Sequence, residues 1–118
     1  MHYYTQSERV TQLMTLIDAL SELIPVVANN PFHAQRLGEY MDALEVAKLL
    51  LIQGFNQDEL SDLSRSVPDL YLRHKEWTPP MEHDSAGNWC EPTWFSDLES
   101  KLQPVLDAAQ VLRMVGFY

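Results

Sequence analysis

At 118 residues, with 46% hydrophobic and 21% charged side chains, the chain is long enough to bury one core and too apolar for a disordered polymer. Seventeen acidic against eight basic residues leave a formal charge of -9, which disfavours direct contact with nucleic acid or anionic membrane and favours a basic protein partner. A single cysteine excludes an internal disulfide, no apolar run reads as a membrane span and no secretory signal pattern opens the chain, so a cytoplasmic address is expected.

Thr5 to Glu8 has the T-x-x-E spacing of a capping box, in which a hydroxyl and a carboxylate satisfy the amides left free at a helix start. In the helix that follows, Val10, Leu13, Ile17, Leu20, Ile24 and Val27 recur at steps of three and four, and Met14 and Leu23 widen the stripe. The stripe is too short for a coiled coil, so core packing is its expected use, with a homodimer through the same stripe as the alternative. Pro25 has no amide donor and its ring crowds the preceding turn, which predicts a kink there or an end near Ile24.

Asn30-Pro31 supplies a capping side chain and a preset first-turn torsion, so a second helix is expected from about Pro31 to Gln53, stopped by Gly54. Leu37, Tyr40, Met41, Leu44, Ala47 and Leu51 share one side of it, and Glu39, Asp42 and Glu45 lie roughly opposite. The run Leu49 to Ile52 is apolar nearly all round, which predicts a path through the middle of the bundle and the most protected segment of the chain. Asn56 to Glu59 repeats the capping-box spacing and begins a short helix to about Ser66, with Leu60 and Leu63 inward and Asp58 and Asp62 in water.

Val67-Pro68-Asp69 restarts the chain as a brief helix reaching about Glu76, and Thr78-Pro79-Pro80 ends regular structure. Asp84 to Asn88 is a turn cluster, and an irregular excursion over about 77–91 is expected in preference to a hairpin. Glu91-Pro92 opens the last helix, where Leu98, Leu102, Val105, Leu106, Ala109, Leu112 and Val115 keep phase across Pro104. One helix bent at Gln103 follows from that phase, with Asp97 and Lys101 paired, Gly116 closing it and Phe117-Tyr118 trailing. The pattern predicts an all-α fold, a single domain over 1–118 built as a small antiparallel bundle of four to five helices with one long Trp/Pro-containing connection.

His74, His83, Cys90 and Glu91 are zinc-compatible residue types, but their spacing matches no compact site. Cys90 has no nucleophile signature around it and no helix start immediately after it to depress its pKa. Carboxylate pairs such as Asp18 with Glu22 lie on faces expected to be wet, and the four glycines form no phosphate-cradling loop. No catalytic residue, cofactor or metal is therefore expected. Two features remain as a candidate partner surface: the acidic set Glu39, Asp42, Glu45, Asp58, Glu59 and Asp62, and the tryptophans Trp77, Trp89 and Trp94, a residue type enriched at interface hot spots.

The length, the helical pattern, the charge of -9, the missing signal and the stretch Gln53-Gly54-Phe55-Asn56-Gln57-Asp58-Glu59-Leu60 between amphipathic helices carry a resemblance. The chain resembles the small acidic immunity proteins that bacteria encode beside secreted polymorphic toxins. The resemblance implies stoichiometric binding to one cognate toxin, often a basic enzyme acting on nucleic acid or nucleotides, with its active site covered. It assigns no individual contact residue, because that class shares a logic and not an alignment of contacts. The alternatives are a regulatory, adaptor or phage-type inhibitor protein using acidic charge mimicry, and an enzyme or metal protein centred on His74, His83 and Cys90.

Overall fold

The computed structural model describes residues 2–29, 36–68, 82–83, 87, 89–90 and 93–117. Among these residues four helices, α1 (Gln6–Ala28), α2 (Leu37–Gln53), α3 (Gln57–Ser66) and α4 (Thr93–Arg113), form an all-α bundle. Two short antiparallel pairs accompany them: β1 (His2–Tyr3) with β4 (Gly116–Phe117), and β2 (Glu82–His83) with β3 (Trp89–Cys90).

Helix α1 begins as its capping box predicts. Thr5 Oγ1 accepts from the Glu8 amide at 3.1 Å, and Glu8 Oε1 accepts from the Thr5 amide at 3.0 Å. The helix then runs through Pro25 to Ala28, so of the two expected outcomes, a kink at Pro25 or an end near Ile24, the end is excluded. Proline sits in the final turn, where little of the ladder remains to be lost. The Asn29 amide and side-chain nitrogen both donate to the Pro25 carbonyl, at 3.2 and 2.9 Å, and finish the helix.

The buried face of α1 is Leu13, Leu16, Ala19, Leu20, Leu23 and Val27. Leu16 is outside the predicted stripe, Val10, Ile17 and Ile24 are only half-buried, and Met14 is half in water. The reason is tertiary: both α4 and α2 lie against α1, and the buried arc is centred between those two contacts. By length and mean hydropathy, 1.5 over its most apolar window, α1 is long and apolar enough to cross a bilayer, contrary to the expectation of no such run. In this fold its leucines form the core, and each fully buried one contributes about 1.5–3 kcal/mol relative to exposure.

Helix α2 corrects the sequence reading most. Its expected Asn30-Pro31 start lies outside the described residues, and the described helix opens after Arg36 with no side-chain cap. The stop is as expected, with the Gly54 amide bonded to the Leu50 carbonyl at 2.9 Å. Gly54 has φ +95° and ψ 166°, a region open essentially to glycine alone. Tyr40, Ala43, Ala47 and Leu50 are buried, Leu37, Leu44 and Leu51 are half-buried, and Met41 faces outward. The run Leu49 to Ile52 is not the protected centre of the bundle: Leu50 is buried, but Leu49 is 48% and Ile52 83% exposed. Among the described residues α2 packs on α1, more lightly on α3, and makes no contact with α4, so it is an outer helix with a single inward face.

Helix α3 matches its signals. Asn56 Oδ1 accepts from the Glu59 amide at 2.8 Å and Glu59 Oε1 accepts from the Asn56 amide at 3.1 Å, with Leu60 and Leu63 buried and Asp58 and Asp62 exposed. Val67 and Pro68 are buried after it, and the Tyr40 hydroxyl donates to the Pro68 carbonyl at 2.9 Å, tying α2 to the end of α3. The brief helix expected from there to Glu76 lies, beyond Pro68, outside the described residues.

Helix α4 is continuous across Pro104, as the retained phase implies, and buries Leu98, Leu102, Val105, Ala108, Ala109 and Leu112. Val115 lies past its end and is exposed. Lys101 meets Glu22 of α1 at 3.5 Å and not its expected partner Asp97. That pair, with Arg9 bonded to the Val111 carbonyl, sets α1 and α4 in opposite senses. Gly116 does not close α4. It pairs with Tyr3 in the β1–β4 ribbon, where a Cβ would lie 2.0 Å from the His2 carbonyl oxygen, so only glycine fits. Within the expected excursion, the described residues Glu82–His83 and Trp89–Cys90 pair antiparallel as β2 and β3, and Gly87 has φ +84°.

A buried arginine joins these parts. Arg9 is 6% exposed, and its Nη1 donates to Gln12 Oε1 at 2.9 Å and to the Val111 carbonyl at 3.1 Å. Its Nη2 donates to Gln57 Oε1 and to the Met114 carbonyl, and its guanidinium lies 4.9 Å from the centre of the Tyr4 ring. Gln57 in turn donates to the Leu112 carbonyl at 2.9 Å. Carbonyls left open where α4 ends are thereby satisfied by groups from α1 and α3. Burial pulls the Arg9 pKa below its ordinary value, with Tyr4 opposing the shift, and the guanidinium remains a cation in a protein.

Candidate partner surface on the second and third helices

The six carboxylates singled out from sequence are all exposed: Glu39, Asp42 and Glu45 on α2, and Asp58, Glu59 and Asp62 on α3. Contact between the two helices brings the two halves of the set onto neighbouring elements. The bases there are Arg36, Lys48 and Arg65, so acids outnumber bases two to one on this part of the surface. Arg36 meets Glu39 at 3.0 Å and Arg65 meets Asp62 at 3.3 Å, both in exposed pairs within one helix turn. Such pairs are worth about 0–1 kcal/mol, so they can be exchanged for a partner's cation at little cost. Asp42, Glu45 and Asp58 have no ion-pair partner among the described residues.

Between α2 and α3 runs a groove of about 320 Å³, lined by Val46 and Leu50 from α2 and by Glu59, Asp62, Leu63 and Ser66 from α3. Its floor is aliphatic and its α3 rim is acidic. Among the described residues no histidine or cysteine lines it, the Ser66 hydroxyl is bonded to the Leu63 carbonyl at 2.7 Å, and Glu59 is held by the Asn56 cap. Among the described residues its lining is an apolar floor with a charged rim on one side. The groove does not follow from the sequence stripe: the run Leu49 to Ile52 is expected at the centre of the bundle, and Val46 belongs to neither the apolar nor the acidic side expected for α2. The signal available was the alternation of those residues with Asp42 and Glu45, which no core helix tolerates on its inward side.

The tryptophan half of the predicted surface is placed only in part. Trp77 lies outside the described residues, Trp89 stands in β3 opposite His83, and Trp94 is in the first turn of α4. Of the metal-compatible set, His74 and Glu91 lie outside the described residues. The β2–β3 register pairs Cys90 with Glu82 and does not pair it with His83. Among the described residues no cluster of three or more His, Cys, Asp or Glu could hold a metal ion.

No protein-family model matches this chain, and comparison with curated proteins and with solved structures finds no match in either, so the surface is read from its own chemistry.

Proposed function

We propose that the protein is a non-enzymatic, cytoplasmic binding protein that neutralises a basic cognate protein, a bacterial toxin domain, by stoichiometric binding. The observation that carries this reading is the exposed acidic surface of α2 and α3 set around an apolar groove. A formal charge of -9 attracts a cationic partner over several ångströms and raises the encounter rate, while short-range apolar contact holds the complex once formed. A regulator acting by charge mimicry alone has no use for the aliphatic floor, and its binding would collapse with salt because it depends on long-range charge.

The decisive experiment is co-expression with the product of the neighbouring open reading frame. A one-to-one complex that survives moderate salt, together with protection of cells from that product, is the expected result. If the neighbour encodes no toxin-like domain and expression protects cells from nothing, the reading is lost.

A further inference from the structure

The outward side of α2 carries three aliphatic residues in water, Val46, Leu49 and Ile52, and Val46 runs into the groove floor with Leu50 and Leu63. Asp42 lies one helix turn before Val46 and Glu45 is adjacent to it, while Glu59 and Asp62 stand on the opposite rim. The groove is thus an aliphatic trough with carboxylates on its α3 margin, and Asp42 and Glu45 stand on α2 near Val46.

Three kinds of occupant could cover it, and charge separates them. A second copy of this chain would bring Asp42, Glu45 and Asp62 near the carboxylates of its partner in a self-complementary contact, where like charges repel. A neutral apolar segment would bury the floor but leave the rim carboxylates facing a surface that does not answer them. A cationic amphipathic segment satisfies both. The trough is bounded by two helices and offers no sheet edge, so an extended strand gains no backbone pairing there, whereas a helix presents anchors at i, i+3 and i+4 to such a groove. Its volume of about 320 Å³ is at the lower end of small-ligand sites, a size that suits an inserted side chain.

We infer that this groove docks an amphipathic helix of the basic partner, with an aliphatic side chain seated on Val46, Leu50 and Leu63 and flanking lysines or arginines paired with Glu59 and Asp62 on the α3 margin and reaching Asp42 and Glu45 on α2 beyond Val46. The inference rests on the proposed neutralising function and adds to it the mode of recognition.

The test uses the full chain, a synthetic leucine–lysine peptide with leucines at helical spacing, a scrambled peptide of the same composition, and the partner protein itself. Methyl shifts on adding the helical peptide are expected at Val46, Leu50 and Leu63. Val46→Asn and Asp62→Lys should each weaken binding about tenfold, whereas Glu99→Lys on α4 should change it less than about twofold. Val46 and Asp62 are solvent-exposed, so both variants are expected to fold, and comparison with the circular-dichroism spectrum of the parent checks this. Shifts spread over α1 and α4, equal binding of the scrambled peptide, or a dimer that dissociates on Val46→Asn would each overturn the inference. Contacts from the groove methyls to another segment of the same chain would do so too. A partner that binds but ignores the two groove variants removes the docking mode and leaves the neutralising function standing. Groove-specific peptide binding with no basic protein partner removes the function and leaves the docking mode.

Discussion

The seam where α1, α3 and α4 meet and the outer side of α2 use similar residues for opposite ends. In the seam, leucines are sealed and the polar groups that enter are answered across the chain: Arg9 and Gln57 bind the α4 terminus, and the Ser64 hydroxyl donates to the Ala109 carbonyl at 2.5 Å. On α2 the aliphatic residues Met41, Val46, Leu49 and Ile52 stand in water among carboxylates, and the polar bonds there are local, as in Arg36 with Glu39. Apolar content therefore does not locate the core of this protein. What distinguishes the two regions is whether polar neighbours are satisfied at long range or left available.

The largest effect expected from that contrast is at the seam. Leu20 is fully buried, and Leu20→Ala should cost about 3 kcal/mol in urea unfolding through lost transfer energy and a residual cavity. Ile52→Ala removes as much side chain from a position 83% exposed and should fall within about 0.5 kcal/mol of the parent. Equal losses at the two positions would mean that α2 is covered in the folded state and that the contrast is wrong.

Arg9→Met comes next. Methionine can fill much of the volume, but the Met114 carbonyl and Gln57 Oε1 lose the Arg9 donor and the Val111 carbonyl keeps only the Met114 amide, for an expected loss of about 2 kcal/mol. Hydrogen exchange should locate the damage at the end of α4 and in the β1–β4 ribbon, which Arg9 joins through Tyr4 and Met114. Loss spread evenly over α2 would instead show that the cluster does not organise the seam.

Local signals made much of this fold legible. The boxes at Thr5 and Asn56 and the stop at Gly54 each involve residues within four positions of one another, so the chain announces them without knowing its neighbours. Burial phase was harder: the stripe on α1 was misplaced around Leu16 and that on α2 around Leu50, because the buried arc depends on which helices lie alongside. The β1–β4 ribbon joins the two ends of the chain over two residues each and leaves no periodic trace. For the candidate site the exposure of all six carboxylates was readable, since their charges demand water, while the groove between them exists only through the packing of α2 on α3.

Asn56→Ala is expected to act on the border between the two regions. It removes the acceptor for the Glu59 amide, at a cost of about 1 kcal/mol, and frays the first turn of the helix that forms the acidic margin of the groove. Thermal unfolding measures the loss, and faster amide exchange at Glu59 and Leu60 places it. Unchanged exchange there would show that packing of Leu60 and Leu63 alone holds the turn.

The smallest effect is a pH dependence at Glu8. Its pKa lies below the ordinary 4.5 chiefly because the Thr5 backbone amide donates to its carboxylate, with the Thr5 hydroxyl and the nearby His2 acting in the same direction. A carboxyl whose folded pKa is depressed adds stability that is present above the unfolded value and is lost as pH falls through the folded one. Glu8→Gln keeps an acceptor for the Thr5 amide but has no charge to lose. The melting temperature of the parent should therefore exceed that of Glu8→Gln near neutrality, and the gap should close as pH falls through 4.5 and below. General acid destabilisation of so acidic a chain affects both proteins alike and cancels in the difference. A gap that stays constant from neutrality into acid would mean that Glu8 contributes through shape and not through charge, and that the start of α1 is held as the core is, by packing.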